Sequence, residues 1–279
     1  MSRLISVITP VFEVGHLHLA EAYESLLTQE MPEGWAWEWC VQEDGNSGVP
    51  GKCLPTDAPR VSYATGLAGR AGVARTMALH RAKGQVVRNL DADDLLLPGA
   101  LARDIECLHR VAWCVSAGVD LLPDGAIRRG PYGPAAGPLP REALYNEQLE
   151  NRLSPMARTF AAHTDLVWAL GGWTALTGTE AIGLLLAAEA VAPGEFIAEP
   201  SILYQKHTGL TTASEQYRSA DGQGDRLSFV LERARTLREN GWSWSMAPLD
   251  GPPATGEDTP LVARQGVAMS RMHVPRTTS

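Results

Sequence analysis

The sequence predicts an α/β fold: a mostly parallel central sheet flanked by helices, with an irregular C-terminal extension. Two observations predict it. Short apolar runs rich in β-branched or aromatic residues alternate with helical stretches over roughly the first ninety residues, the pattern of strands joined by crossover helices. Three of those runs end in polar clusters, at Pro10–Glu13, Asp44 and Asp91–Asp94, and open α/β sheets bind ligands at the carboxyl ends of their strands.

The elements follow in order. Leu4 to Thr9 is an apolar, β-branched run stopped by Pro10, suited to a buried parallel strand. His16 to Gln29 carries Leu17, Ala20, Tyr23 and Leu27 at helical spacing. Trp35 to Val41 reads as a strand ending at the turn Asp44-Gly45-Asn46-Ser47-Gly48. Arg60 to Ala64 is a further strand. Gly69 to Lys83 reads as a helix closed by Gly84, a residue favoured just past helix ends. Gln85 to Leu90 is a strand running into the aspartates. Pro98 then opens a helix over Gly99 to Trp113. Pro123 to Pro140, crowded with glycine and proline, reads as an irregular loop. Phe160 to Leu170 is an apolar segment leading to Gly171-Gly172-Trp173. Glu180 to Val191 reads as a helix, Phe196 to Tyr204 as a strand and Arg226 to Asn240 as a charged helix. From Met246 onward, Pro, Gly, Thr and Ser dominate, predicting a flexible tail.

Composition bounds the function. The 279 residues are 44% hydrophobic and 20% charged, with a formal net charge of −8 and no lysine or arginine run. A general binder of nucleic acid would need a basic patch to release counterions, so that class is disfavoured. Cys40, Cys53, Cys107 and Cys114 form no CxxC pair and read as reduced thiols of a cytoplasmic protein. The N-terminus runs straight into a strand, so no signal peptide is expected. The longest apolar stretch, Ala181 to Ala192, contains Glu189 and is too short to span a bilayer, so no transmembrane segment is expected.

Aspartates two apart at a strand end share a face, so Asp91 and Asp93 would converge while Asp94 points away. Two hard oxygen ligands there suit Mg²⁺ or Mn²⁺. The spacing alone also fits a solvated acidic turn, with Asp93 or Asp94 capping a following helix.

Several motifs together resemble family 2 glycosyltransferases of the GT-A fold, a Rossmann-like α/β architecture. Ile5-Ser6-Val7-Ile8-Thr9-Pro10-Val11-Phe12 is similar to that family's first strand and nucleotide-contacting loop. Val41-Gln42-Glu43-Asp44-Gly45-Asn46-Ser47-Gly48 resembles its acidic-Asp-Gly-Ser segment. Ala71 to Leu79, Ala82-Lys83-Gly84-Gln85-Val86-Val87 and Leu90-Asp91-Ala92-Asp93-Asp94 follow in the family's order and spacing. The resemblance implies a GT-A domain over residues 1–215, with a nucleotide-binding half (1–100) and an acceptor half (101–215), then a helix over 216–245 and the tail over 246–279.

The resemblance implies roles residue by residue. Thr9, Pro10, Val11 and Glu13 would lie along the donor nucleotide. Asp44 would accept a hydrogen bond from a pyrimidine imide, and Arg75 would approach the nucleotide or its diphosphate. Asp91 and Ala92 would sit near the ribose, and Asp93 would be the principal metal ligand. The structural alternatives are a turn-forming Asp44 and a surface ion pair for Arg75. The family usually has Asn after that arginine, where this chain has Thr76. In the second half, Gly171-Gly172-Trp173 is similar to the family's turn beside the acceptor, with Trp173 as the acceptor contact or a core residue. Gly178-Thr179-Glu180-Ala181 offers one acidic residue where the family places two. Glu180 would replace the catalytic base, or else simply favour a helix N-terminus, worth roughly 0.3–1 kcal/mol. Tyr204-Gln205-Lys206-His207 resembles a Tyr-x-x-His segment, with His207 as a metal or diphosphate ligand.

The implied chemistry is metal-dependent, inverting transfer from a UDP- or dTDP-sugar to an acceptor; the small soluble format suits a small molecule or peptide. A nucleotidyltransferase would carry a basic, Gly-rich loop after the first strand, whereas residues 10–16 hold one glycine and no lysine or arginine. A non-catalytic sugar-nucleotide binder is the other alternative, kept by the single acid at Glu180.

Overall fold

A computed structural model describes residues 3–55, 57–130, 133–206 and 220–249. The first strand, β1 (Arg3–Val11), pairs in parallel with β2 (Trp35–Glu43) on one side and β4 (Val86–Asn89) on the other. β1 does not stop at Pro10: it runs on in register to Val11, opposite Glu43. β3 (Val61–Ala64) continues the sheet beyond β2. Sheet order is β3-β2-β1-β4-β9-β6-β10-β5, with β9 (Ala161–His163), β6 (Trp113–Leu121), β10 (Gly194–Gln205) and β5 (Asp94–Leu96). β1 to β4 are parallel, as is the long β6–β10 pair, whereas β9 and β5 are antiparallel to their neighbours.

Alternation along buried strands divides the core. Ile5 and Val7 pack with α1 (Leu19–Leu27) and α3 (Ala100–Leu108) on one face. Ile8 and Val87 face the opposite layer, with α2 (Arg70–Leu79), α4 (Ala143–Leu149), α5 (Thr164–Ala169), α6 (Glu180–Val191) and α7 (Ala220–Glu239). Helices therefore cover both faces, as a parallel sheet buried on two sides requires.

Several elements differ from the sequence reading. The stretch after β1 opens as a 3-10 turn, Glu13–His18, before α1 begins at Leu19. α2 ends at Leu79, and Gly84 is no cap. A Cβ there would lie 2.6 Å from Ser6 Oγ and 2.8 Å from the Leu4 carbonyl, so Gly84 permits the backbone to pass against β1. α3 ends at Leu108, and Trp113 opens the nine-residue strand β6, which no sequence pattern singles out. The glycine- and proline-rich loop contains two short strands, β7 (Ile127–Arg129) and β8 (Gly137–Pro138), paired with β6 and β10. Among the described residues, no helix is long and apolar enough to cross a membrane. None of the four cysteines is in a disulfide.

Candidate donor and catalytic cleft

The chain reverses direction across the sheet between β1 and β4, and the carboxyl ends of β1, β2 and β4 open there into a cleft of about 870 Å³. Pro10, Val11, Asp44, Arg75, Asp91, Ala92, Asp93 and Glu180 all line it. Thr9 does not: it is buried, and its Oγ1 accepts from Trp39 Nε1 at 2.8 Å. Glu13 is exposed on the 3-10 turn and is outside the lining. His207 lies outside the described residues.

Asp44 follows β2 directly, and its N–H donates to the Val11 carbonyl at 2.7 Å, continuing the strand ladder. The turn beyond it is organised by Glu43, not by Asp44. The Glu43 carboxylate accepts from the Ser47 N–H and hydroxyl, both 2.7 Å, from the Gly48 N–H at 3.0 Å and from the Tyr63 hydroxyl. Burial pushes the Glu43 carboxyl up, but these donors outweigh it and hold it below the usual range. Burial and the same carboxylate push Tyr63 up to about 12. Asp44 Oδ1 instead accepts from the Gly69 and Arg70 N–H groups, at 2.6 and 2.8 Å. It thereby ties the end of β2 to the start of α2, where Arg70 takes the left-handed backbone with φ 70.

Arg75, one turn into α2, is 3% exposed. Its Nη2 donates to Asp91 Oδ1 at 2.5 Å and its Nη1 to Glu180 Oε1 at 2.7 Å. Burial opposes its charge, yet the two carboxylates prevail and hold the guanidinium protonated. The fork of one arginine thus joins a strand-end aspartate to the first residue of α6, 105 positions along the chain from Arg75.

The aspartate cluster departs from the strand-based expectation. Asp91 to Asp93 lie in a turn closed by the Asp94 N–H donating to the Asp91 carbonyl at 3.1 Å, and β5 follows in place of a capped helix. The period-two rule fails at a turn, so Asp94 does not point away. Asp91, Asp93 and Asp94 each bring a carboxylate oxygen within 4.8 Å of the others. Asp94 is buried, and its Oδ1 has no hydrogen-bond partner among the described residues. Burial pushes its carboxyl up to about 7 against the pull of Arg158, with Asp91 and Asp93 adding to the rise. For Asp91, burial is outweighed by Arg75 and Arg158, so its carboxyl is held low. Three clustered carboxylates, one of them buried with an orphaned oxygen, fit a small divalent cation.

Sequence reasoning missed Arg158. It sits on the 3-10 turn Ala157–Thr159, with Nη1 3.1 Å from Asp94 Oδ2 and 3.4 Å from Asp91 Oδ2. Its guanidinium lies 4.0 Å from the centre of the Tyr204 ring. A lone arginine in Pro155-Met156-Ala157-Arg158 carries no local signal, and the only clue is an acid cluster that needs a counter-charge.

Trp173 does not line the cleft: it is 3% exposed and packed in the core. Thr76, the departure from the family pattern, explains the turn. Its Oγ1 accepts from the Trp173 N–H at 2.9 Å and donates to the Trp173 carbonyl at 3.0 Å. Gly172, at φ 74, leaves no room for a Cβ, which would stand 2.7 Å from that oxygen. Thr179 precedes α6 in a left-handed conformation without a capping hydrogen bond from its side chain, and it lies beside Glu180 on the cleft.

The architecture is that of the GT-A fold, a curled, mostly parallel sheet with flanking helices. No family model matches the chain, and no curated protein does either. Among solved structures it is similar to S. aureus TarS 1–349 in complex with UDP-GlcNAc, at TM-score 0.62 and 18% identity over 86% of this chain and 74% of that one. Against TarS 1–349 with UDP the TM-score is 0.57 at 17% identity, over 74% of this chain and 61% of that one, so this chain spans about three fifths of that relative's length. It is also similar to the mannosyltransferase PcManGT from Pyrobaculum calidifontis in complex with GDP-Man and Mn²⁺, at TM-score 0.53 and 16% identity over 89% of this chain and 67% of that one.

Proposed function

We propose that this protein is a metal-dependent, inverting glycosyltransferase that moves a sugar from a UDP- or dTDP-activated donor to a small-molecule or peptide acceptor. The observation that carries the reading is the Arg75 bridge, which gathers a strand-end acid cluster and Glu180 into one cleft beside Asp44. The UDP, UDP-GlcNAc and GDP-Man held by the structural relatives support it. A cytoplasmic setting belongs to the same reading, supported by the unpaired cysteines.

Residues 1–100 supply the donor side. Asp44, one oxygen committed to the start of α2, offers its other to a base imide, while Pro10, Val11 and Ala92 border the nucleotide. Asp93, with Asp91 and Asp94, would hold Mn²⁺ or Mg²⁺, which when bound supplies neutralisation of charge on a departing diphosphate. Residues 101–215 supply Glu180, whose Oε1 is fixed by Arg75. Its second oxygen takes the acceptor proton as the acceptor attacks the anomeric carbon from the face opposite the leaving group. A single displacement inverts that centre.

The test is nucleotide release from a panel of UDP-, dTDP- and GDP-sugars, with Mn²⁺, Mg²⁺ or chelator. One donor is expected to be hydrolysed slowly in an ion-dependent manner, and Asp93→Ala to abolish it. Undiminished turnover of Asp93→Ala in chelator would remove the metal assignment. The engagement of Glu180 by Arg75 supports a second reading, a non-catalytic sugar-nucleotide binder, which donor binding without release across many acceptors would favour.

A further inference from the structure

Arg158 already stands where a divalent ion would draw its ligands. Both oxygens of Asp91 are held by guanidinium groups, Oδ1 by Arg75 and Oδ2 by Arg158, and Asp94 Oδ2 is held by Arg158 as well. The remaining Asp94 oxygen is buried and without a partner among the described residues. An ion reaching Asp93 and the orphaned Asp94 oxygen would meet a positive charge a few ångströms away on a side chain only 23% exposed, where screening by water is incomplete. The two cations cannot share these carboxylates at full strength. Arg158 also has a contact that does not depend on the carboxylates: its guanidinium lies 4.0 Å from the centroid of the Tyr204 ring, which Lys206 Nζ approaches at 3.8 Å.

We propose that Arg158 is a resident counter-cation, which holds Asp91 and Asp94 in place while no ion is bound and competes with a divalent cation for them. This rests on the metal reading of the aspartate cluster, and it adds a sign. A residue that merely pre-assembled the ligands would strengthen ion binding, whereas a competitor weakens it. Ion arrival then releases a guanidinium inside the cleft, on its Tyr204 platform, able to turn toward phosphate oxygens.

The experiment needs no turnover. Mn²⁺ affinity is measured by calorimetry and by the electron paramagnetic signal of free Mn²⁺, and melting temperature is measured in chelator and in Mn²⁺. Arg158→Met is expected to bind Mn²⁺ at least about tenfold more tightly than the unaltered protein, the scale on which one nearby charge acts in a poorly screened site. Its melting temperature is expected to fall in chelator and to recover with Mn²⁺ by more than the unaltered protein gains. Arg158→Lys, which keeps the charge and loses the planar fork, is expected to fall between them. If Arg158→Met folds only with Mn²⁺, binding is entangled with folding, and the affinity of Arg158→Lys decides by the same rule as for a variant that does not fold. If it folds in neither, Arg158→Lys decides: tighter binding than the unaltered protein supports the proposal, and equal or weaker binding overturns it. Equal or weaker binding by a folded Arg158→Met overturns the role of Arg158 and leaves the metal site standing. Absence of Mn²⁺ binding in both the unaltered protein and the variants overturns the metal reading and this inference with it.

Discussion

Replacing Arg75 with methionine tests the contact on which the cleft is built. The substitution keeps bulk and removes the cation, leaving Asp91 and Glu180 facing each other across the space Arg75 filled. Truncating one member of a buried ion pair costs about 3–5 kcal/mol. Two facts pull toward the lower figure: Asp91 keeps Arg158 at 3.4 Å, and the side chains of Asp91 and Glu180 retain 19% and 12% exposure. A loss of about 3 kcal/mol is therefore expected, equivalent to a fall of roughly 6–12 °C in melting temperature for a domain of this size. Urea unfolding, with the slope checked for constancy, reads the free energy. The cycle is closed with Glu180→Gln and the double variant. Because the neutral amide of Glu180→Gln no longer repels Asp91, the double variant should be less destabilised than the sum of the singles, by about 1–3 kcal/mol. A loss below about 1 kcal/mol, or additivity within about 0.5 kcal/mol, would refute the bridge as a buried, coupled contact.

Two other outcomes follow from the same structure. Gly72 in α2 lies where a Cβ would stand 2.2 Å from the Thr174 carbonyl and 3.1 Å from the Glu180 Cβ. Gly72→Ala should cost about 1–3 kcal/mol by overpacking and displace Glu180, so donor turnover should fall far more than a melting scan alone would suggest, and unchanged turnover would count against Glu180. Glu189, buried in α6 and accepting from the Leu144 and Tyr145 N–H groups at 2.7 and 2.9 Å, has its carboxyl pushed up to about 7 by burial, against an ordinary 4.5. Between those values the folded state holds the extra proton, so this contribution is complete below the lower value and lost as pH rises through the upper one, by at most about 3 kcal/mol. Urea unfolding across that range should show a steeper decline for the unaltered protein than for Glu189→Gln.

Much of the site was legible in the sequence because strand ends are readable. β1 and β2 are dense in β-branched or aromatic residues, β4 opens on Val86-Val87, and all three run into polar turns, so Asp44, Asp91 and Asp93 could be placed at the carboxyl ends of neighbouring strands from residue order alone. The other half of the sheet was harder. β6 follows α3 after His109-Arg110-Val111-Ala112, with no Gly, Pro, Asn or Asp to mark the change, and its buried run Trp113–Leu121 lacks the alternation that marks a half-exposed strand. The alternation of extended chain does not carry through Asp91–Asp93, which turn, so residue spacing alone does not give the direction of Asp94. Arg158 and Thr76 act through partners 64 and 97 positions away, information that no local window contains.

The placing of β5 has a bearing on how this protein reaches its native state. The three residues after the aspartate turn hydrogen-bond to Ile202–Tyr204, near the far end of the sheet in chain order. β4, just before that turn, is bordered by Ala161–His163. The acidic loop is thus clamped from both sides by segments synthesised long after it. Its geometry matures only when distant chain has docked, a slow, high-contact-order step. A nascent chain that has emerged only as far as the aspartates holds the residues of the cleft without yet holding its shape.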